Sequence, residues 1–296
     1  MRFRLTPTVQ LASGAPGNWP TRSCVEGSST ASLPGTLGGY SKETDLKPHL
    51  IRYWLTPAVN EDQAEREGKI ADVCEVYREA PVRAKQGERT VSSDEMTGVQ
   101  ALERAAPGLP MARGKVERRE FEYVRHGTRT FIVNFDVVSG RVIAPSCGPT
   151  RTEADFQAHV QRTVESEPAA ARWHFVTDNL DTHCSESLVR YVAEVSGITE
   201  DLGKKQHHGI LQSRASRAAF LREPSHKIVF HYTPKHASWM NQVEIWFSIL
   251  MRKLLRRGSF TSVADLETKV LAFIAYFNRT MAKPFKWTYL GKPLCV

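Results

Sequence analysis

Three acidic residues stand at positions where carboxylates can do chemistry: Asp94, Asp178 and Glu244. Asp94 sits in Ser92-Ser93-Asp94-Glu95 after a β-prone run, and Asp178 directly follows the apolar run Trp173 to Thr177. Glu244 lies among Trp239, Val243, Ile245, Trp246, Phe247, Ile249 and Leu250, where an unpaired carboxylate is costly to bury. Carboxylate oxygens are the hard donors that Mg²⁺ and Mn²⁺ prefer. Two such ions about 3.5–4 Å apart can activate an attacking oxygen and stabilise a leaving one at a phosphodiester. Three carboxylates are enough if one bridges both ions, because water and substrate phosphate complete the shells.

Plainer readings compete with this one. Asp94 reads equally as a strand-end turn acid, Asp178 as the start of an Asx-turn, and Glu244 as a solvent-face residue. Asp136 rivals Asp94, but Val137-Val138-Ser139-Gly140 after it points to a hairpin, and Asp181 is a weaker substitute for Asp178. Asn241, three residues before Glu244, falls on the same helical face and is placed to support a ligand or a phosphate. Basic residues gather in two runs, one from Arg113 to Arg129 and one at the end of the Glu244 helix. From these, Arg118, Arg119, Arg252, Lys253, Arg256 and Arg257 are the candidate DNA-phosphate contacts, although the second run also suits a helix C-terminus. Phe285-Lys286-Trp287 interleaves basic and aromatic character and reads as core packing or helix termination.

The elements that must position these residues are legible from periodicity. Glu61 to Glu79 has helical spacing, with Ile70, Val73, Val76 and Tyr77 on one side. Thr90 to Ser93, Arg119 to Val124 and Thr130 to Val138 read as strands, with His126-Gly127 and Ser139-Gly140 as turns and Arg141 to Ala144 as a returning strand. Helices are expected over Thr152 to Glu165, Ser185 to Val195, Ser238 to Arg257 and Val263 to Met281, the last with a capping-box-like Ser262-x-x-Asp265. Strands are expected over Trp173 to Thr177 and Lys227 to Tyr232, and Ile198 to His226 reads as a surface insertion without period. Hairpins first and alternating strands and helices later predict an α/β fold, a mixed sheet with helices on its faces. Sites in open sheets of this kind gather outside the carboxyl ends of strands.

Composition bounds the rest. The 296 residues are 41% hydrophobic and 24% charged, enough for a sizeable core, and the formal net charge of +8 favours a polyanionic partner. Cys24, Cys74, Cys147, Cys184 and Cys295 form no C-x-x-C pair, which suits reduced thiols in a cytoplasmic protein. No stretch approaches the roughly 18 apolar residues that span a membrane. Residues 12–40 are rich in Gly, Pro, Ser and Thr without period, so residues 1–40 are expected to be disordered. Lys42 to Leu55 reads as the tail of a helical element; the expected division is 1–40, a helical linker region at 41–88, and a catalytic domain at 89–296.

The run from Tyr232 through Trp239, Asn241 and Glu244 to Phe247 resembles the third-carboxylate motif of DDE transposases, in the bacterial insertion-sequence branch of the Tc/mariner superfamily. Asp178-Asn-Leu-Asp-Thr-His183 is similar to that family's second motif, and Ser93-Asp94-Glu95-Met-Thr-Gly-Val-Gln-Ala-Leu to its first. The tail from Arg257 to Trp287 also matches, so the resemblance runs from about residue 41 to the C-terminus. It implies a ribonuclease-H-like fold with a five-stranded mixed sheet. It further implies two Mg²⁺ or Mn²⁺ ions held by Asp94, Asp178 and Glu244, with Asp94 bridging, and Asn179 and His183 supporting the second motif. The implied reaction is DNA cleavage and strand transfer of an insertion element, typically into TA targets, by a homodimer on double-stranded DNA. Members usually begin with paired helix-turn-helix modules, and residues 1–40 show no such pattern, so a truncated or frame-disrupted N-terminus is expected. Rival outcomes are an inactive remnant that binds DNA non-specifically and a nuclease that cuts without joining.

Overall fold

The computed structural model describes residues 63–289. The expectations for residues 1–40 and for Lys42 to Leu55 lie outside them.

Five strands form one mixed sheet: β1 (Glu88–Arg104), β2 (Tyr123–Asp136), β3 (Val142–Gly148), β4 (Arg172–Thr177) and β5 (Ile228–Tyr232). Their spatial order is β3-β2-β1-β4-β5, with β1–β2 and β2–β3 antiparallel and β1–β4 and β4–β5 parallel. Hairpin connections make the antiparallel half, and helical crossovers make the parallel half. This is the ribonuclease-H-like arrangement.

Alternation along the strands assigns the two faces. Trp173 and Phe175 of β4, Phe230 of β5 and Ile132 of β2 pack on one side against α2 (Glu153–Ser166), α3 (Glu186–Val195) and α4 (Arg214–Leu221). Phe156 and Val160 of α2, Leu188 and Val192 of α3, and Leu221 of α4 fill that layer. On the other side Phe131, Val133 and Phe135 of β2 meet α5 (Val243–Leu250) and α6 (Val263–Thr280) through Trp246, Leu250, Leu266, Val270 and Phe277. Next to them α1 (Gln63–Lys85) packs Val73, Val76 and Tyr77 on Val176, Val137 and Met240.

Helix starts follow the capping signals. Thr152 and Asp155 form a reciprocal capping box at α2, and Ser185 caps α3. At α6, Ser262 accepts the Asp265 N–H, but the Asp265 carboxylate turns to the Thr261 N–H instead of closing a box.

Four expectations are corrected. Asp94 does not follow the first strand; it is the seventh residue of a 17-residue β1, because buried Val99 and Ala101 resume the pairing beyond it. His126-Gly127 is no turn; Gly127, at φ 112°, lets β2 pass through opposite irregularities in β1. The stretch at 198–226 holds a capped helix, α4, whose Leu221 is fully buried alongside Leu211. The long helix expected over Ser238 to Arg257 divides into a 3₁₀ turn (Ser238–Met240), α5 and a π-turn (Met251–Leu255).

Candidate active site

Strand register puts two of the carboxylates level. Ser92 of β1 pairs with Val176 of β4, so two residues on, Asp94 stands beside the point where β4 ends and Asp178 begins. Adjacent strands lie about 4.8 Å apart. Glu244 joins them from the first turn of α5, whose start is tied to the same strand: the Val243 N–H donates to Ser92 Oγ at 2.9 Å. Tyr77 of α1 holds the preceding turn, donating its hydroxyl to the Met240 carbonyl at 3.0 Å and accepting the Gln242 N–H at 3.3 Å.

Asp94 is 8% exposed. Its Oδ1 accepts the Glu95 N–H at 2.7 Å and its Oδ2 accepts from Asn241 Nδ2 at 3.1 Å. Burial, then the charge of Asp178, pushes its carboxyl up to about 7. Burial and the Asp178 charge also raise the Glu244 carboxyl. Asp178 goes the other way: burial alone would raise it, but a hydrogen bond to His183 and that ring's charge hold it below the usual range. His183 is fully buried, with Nδ1 2.8 Å from Asp178 Oδ1 and Nε2 3.2 Å from Glu95 Oε1. Burial would lower this imidazole, yet the two carboxylates outweigh it and raise it to about 10.

The arrangement is thus a set of negative charges held close without being closed around a point. Among the described residues, no three His, Cys, Asp or Glu side chains are gathered tightly enough to enclose a metal ion. The donor set nonetheless suits a hard divalent cation: all three groups offer oxygen, and Asp178 raises the carboxyls of both its neighbours, a repulsion that a cation would relieve.

A family model described as DDE superfamily endonuclease matches residues 89–267, more than half of the sequence. The chain belongs to the DDE superfamily endonucleases. Solved structures similar to this DDE endonuclease include three of Mos1. Against a pre-cleavage Mos1 transpososome the identity is 13% and the TM-score 0.43, covering 80% of this chain and 62% of that one. Against the Mos1 strand transfer complex the identity is 14% and the TM-score 0.44, with 81% and 61% covered. Against the catalytic domain of Mos1 mariner transposase they are 14% and 0.41, with 75% and 85% covered. The chain therefore spans about three fifths of the Mos1 chains in the two complexes. No curated protein sequence matches significantly.

Other expected site residues are placed as follows. Asn241 does not lie in a helix facing a ligand; it is fully buried, donates to Ser93 O at 3.1 Å as well as to Asp94, and accepts from Ser92 Oγ. Asn179 accepts from Arg214 at 2.9 Å, and Asp181 pairs with Arg214 Nε at 2.8 Å. Asp136 ends β2 and accepts from Val138 N, Ser139 N and Ser139 Oγ in the turn to β3. Arg119 lines one cleft with Arg252, Arg256 and Arg257, which are far from it in sequence; Arg118 and Lys253 are exposed outside it. Two residues given no role of their own from the sequence also stand at this site. Glu95 is one, its side chain only 2% exposed, and Ser92, the tether of α5, is another. Strand alternation was the available signal for Glu95: it directs Asp94 and Glu95 to opposite faces, one toward Asn241 and one toward His183.

Proposed function

We propose that this DDE endonuclease is the catalytic core of a transposase, cutting DNA at an element end and joining the freed 3′ end to target DNA. The observation that carries the reading is the convergence of Asp94, Asp178 and Glu244 at the carboxyl end of the parallel strands, with Asp94 desolvated against the charge of Asp178. Those three residues would hold the divalent ions, Mg²⁺ or Mn²⁺. When bound, two such ions supply positive charge at the attacking and leaving oxygens of an in-line displacement. The chain's own part is to present the carboxylates in fixed positions. Asn241 aims Asp94, the imidazolium of His183 aims Asp178, and the Ser92 and Tyr77 bonds fix the start of the helix that carries Glu244. Such orientation of metal-holding groups by a hydrogen-bonded surround sets both affinity and rate.

The motifs of the second and third carboxylates favour the bacterial insertion-sequence branch, with double-stranded DNA as partner and a homodimer as the working form on DNA. Residence at the nucleoid follows from such a partner. No helix among the described residues is long and apolar enough to cross a membrane.

The test is incubation with Mg²⁺ or Mn²⁺ and a labelled duplex bearing the element's terminal repeat, beside Glu244→Gln. Carboxylate-dependent cutting followed by joined products is expected. Cutting without joining would make the protein a nuclease, and cutting retained in Glu244→Gln would remove Glu244 from the site.

A further inference from the structure

The basic cleft lies away from the carboxylates. Its floor is the end of β1, where Arg104 stands ten residues beyond Asp94, a distance of roughly 30 Å along the strand. One wall is the connection between β1 and β2, carrying Arg119, Phe121 and, at the start of β2, Tyr123. The other wall is the π-turn after α5 and the two residues that follow it, carrying Arg252, Arg256 and Arg257. The enclosed volume is about 560 Å³.

One helix end offers three arginines to this cleft. The chain widens into the π-turn between Arg252 and Arg256, and Arg257 follows in a tighter turn, its N–H donating to Leu254 O at 3.1 Å. The wider turn is closed by the Arg256 N–H donating to Met251 O at 2.8 Å. Arg252, Arg256 and Arg257 are exposed, and among the described residues none has a carboxylate within salt-bridge distance. The acids facing the cleft are few. Glu120 lines it, and Glu117 is occupied by Arg119 at 2.8 and 3.0 Å.

Three unpaired guanidiniums on one wall, facing Arg119 on the other, are the chemistry of phosphate oxygens. We propose that this cleft grips the sugar–phosphate backbone of a DNA duplex whose reacting phosphodiester lies at the carboxylates. The inference rests on the transposase reading. At about 3.4 Å per base pair, the gripped phosphates lie about nine base pairs from the reacting one. Of the two aromatics in the cleft, Tyr123 has the Arg104 guanidinium carbon 5.2 Å from its ring centroid and only Phe121 is left to stack on an unpaired base, too little for a single-strand track, so duplex is favoured.

Binding of a fluorescent 24-base-pair duplex to the full chain, in EDTA so that no cutting intervenes, tests the assignment. Arg256→Ala/Arg257→Ala is expected to weaken binding at least tenfold at about 0.1 M salt and to lower the slope of log affinity against log salt by about two. Arg190→Ala, a distant exposed arginine on α3, is the control and should change neither. A double variant that matches the native chain in both affinity and slope, or a control that loses as much as the double variant, would overturn the proposal. So would a loss confined to single-stranded DNA and shared by Phe121→Ala. A chain that binds through the cleft but never cuts with Mg²⁺ would retire the transposase reading and leave the cleft standing as a DNA-backbone site. Where the chain does cut, the double variant should raise the half-saturating DNA concentration.

Discussion

Asp94 shows how a site can be built against the stability of its own fold. Its two hydrogen bonds, from the Glu95 N–H and from Asn241, do not offset burial beside Asp178, and the carboxyl rises to about 7. A carboxyl raised in the folded state contributes most below its unfolded value near 4, and that contribution is lost as pH climbs through about 7. At pH 8 the metal-free protein therefore holds a charge that unfolding would release. Asp94→Asn removes the charge at the expense of one hydrogen bond to Asn241. It should stabilise the metal-free protein at pH 8 by about 1–3 kcal/mol, a rise in Tm of several degrees, while abolishing metal-dependent cutting. Thermal melts in EDTA decide this. An unchanged or lowered Tm at pH 8 would mean that the apposed charges are already relieved. Asp94 stood out as a candidate in the sequence; the buried pair beneath it did not. Glu95 and His183 are 88 residues apart, and their meeting depends on the β1–β4 register, which local periodicity does not encode.

At the scale of elements, the same register problem conceals a hydrogen-bonded relay that joins α1 to the parallel strands. His174 of β4 and His231 of β5 point to the α1 side, because their neighbours Phe175 and Phe230 take the other face. The two rings meet at 3.1 Å through His174 Nδ1 and His231 Nε2. Their outer nitrogens face Glu88 at 2.9 Å and Asp72 at 3.0 Å. Burial pushes His174 down to about 4, which keeps that ring neutral and its Nδ1 free to accept. Glu75, Glu79 and Arg83 of α1, Arg172 of β4 and Arg222 after α4 line the same cavity. Protonating His174 would remove that acceptor. Unfolded histidine takes up that proton near 6.5, so the relay's contribution is whole above that value and is lost as pH falls toward 4, by about 2–3 kcal/mol. Asp72 adds in the same sense: burial would raise it, but its bond to His231 holds it low. Melts from pH 7 to 4 in the Asp94→Asn background, where the opposite trend of Asp94 is absent, should show this loss, and His174→Phe should flatten it. Parallel curves for the two proteins would sink the relay. The strands Trp173 to Thr177 and Lys227 to Tyr232 were legible within a residue, since short apolar runs bounded by turn signals leave few alternatives. The faces given to their histidines became clear only once α1 was seen packed on that side.

At the scale of the whole molecule, the segment after α6 links parts that sequence reading treated separately. Phe285 stacks on Phe135 of β2 with centroids 4.5 Å apart, and Trp287 lies 4.7 Å from the ring of Tyr77 on α1. Asn278 near the end of α6 both accepts from Val142 N and donates to Val142 O at 2.8 Å, anchoring that helix to β3. Aromatic residues at 285–287 signalled packing, but their partners lie some 150 and 210 positions away, beyond any local signal. Tyr77 in turn holds Met240 and Gln242, just ahead of Glu244, so the strap reaches the candidate site through one ring. Gly140 in the β2–β3 turn tests how rigid this linkage is. It has φ 70°, and a Cβ there would run into the carbonyl carbon of Lys283, which is backbone and cannot rotate away. Gly98 has φ 64° with nothing within 4 Å of a Cβ, so Gly98→Ala reports the left-handed backbone penalty alone, about 1–2 kcal/mol. Gly140→Ala must also push 283–284 off the turn, and should cost about 2 kcal/mol more than Gly98→Ala, with Tm lower by a further 4–8 °C. Near-ultraviolet circular dichroism should register the displaced Trp287 in Gly140→Ala and stay native in Gly98→Ala. Equal losses in the two variants would show that residues 283–287 yield freely, and that Tyr77 positions the Glu244 helix without help from the strap.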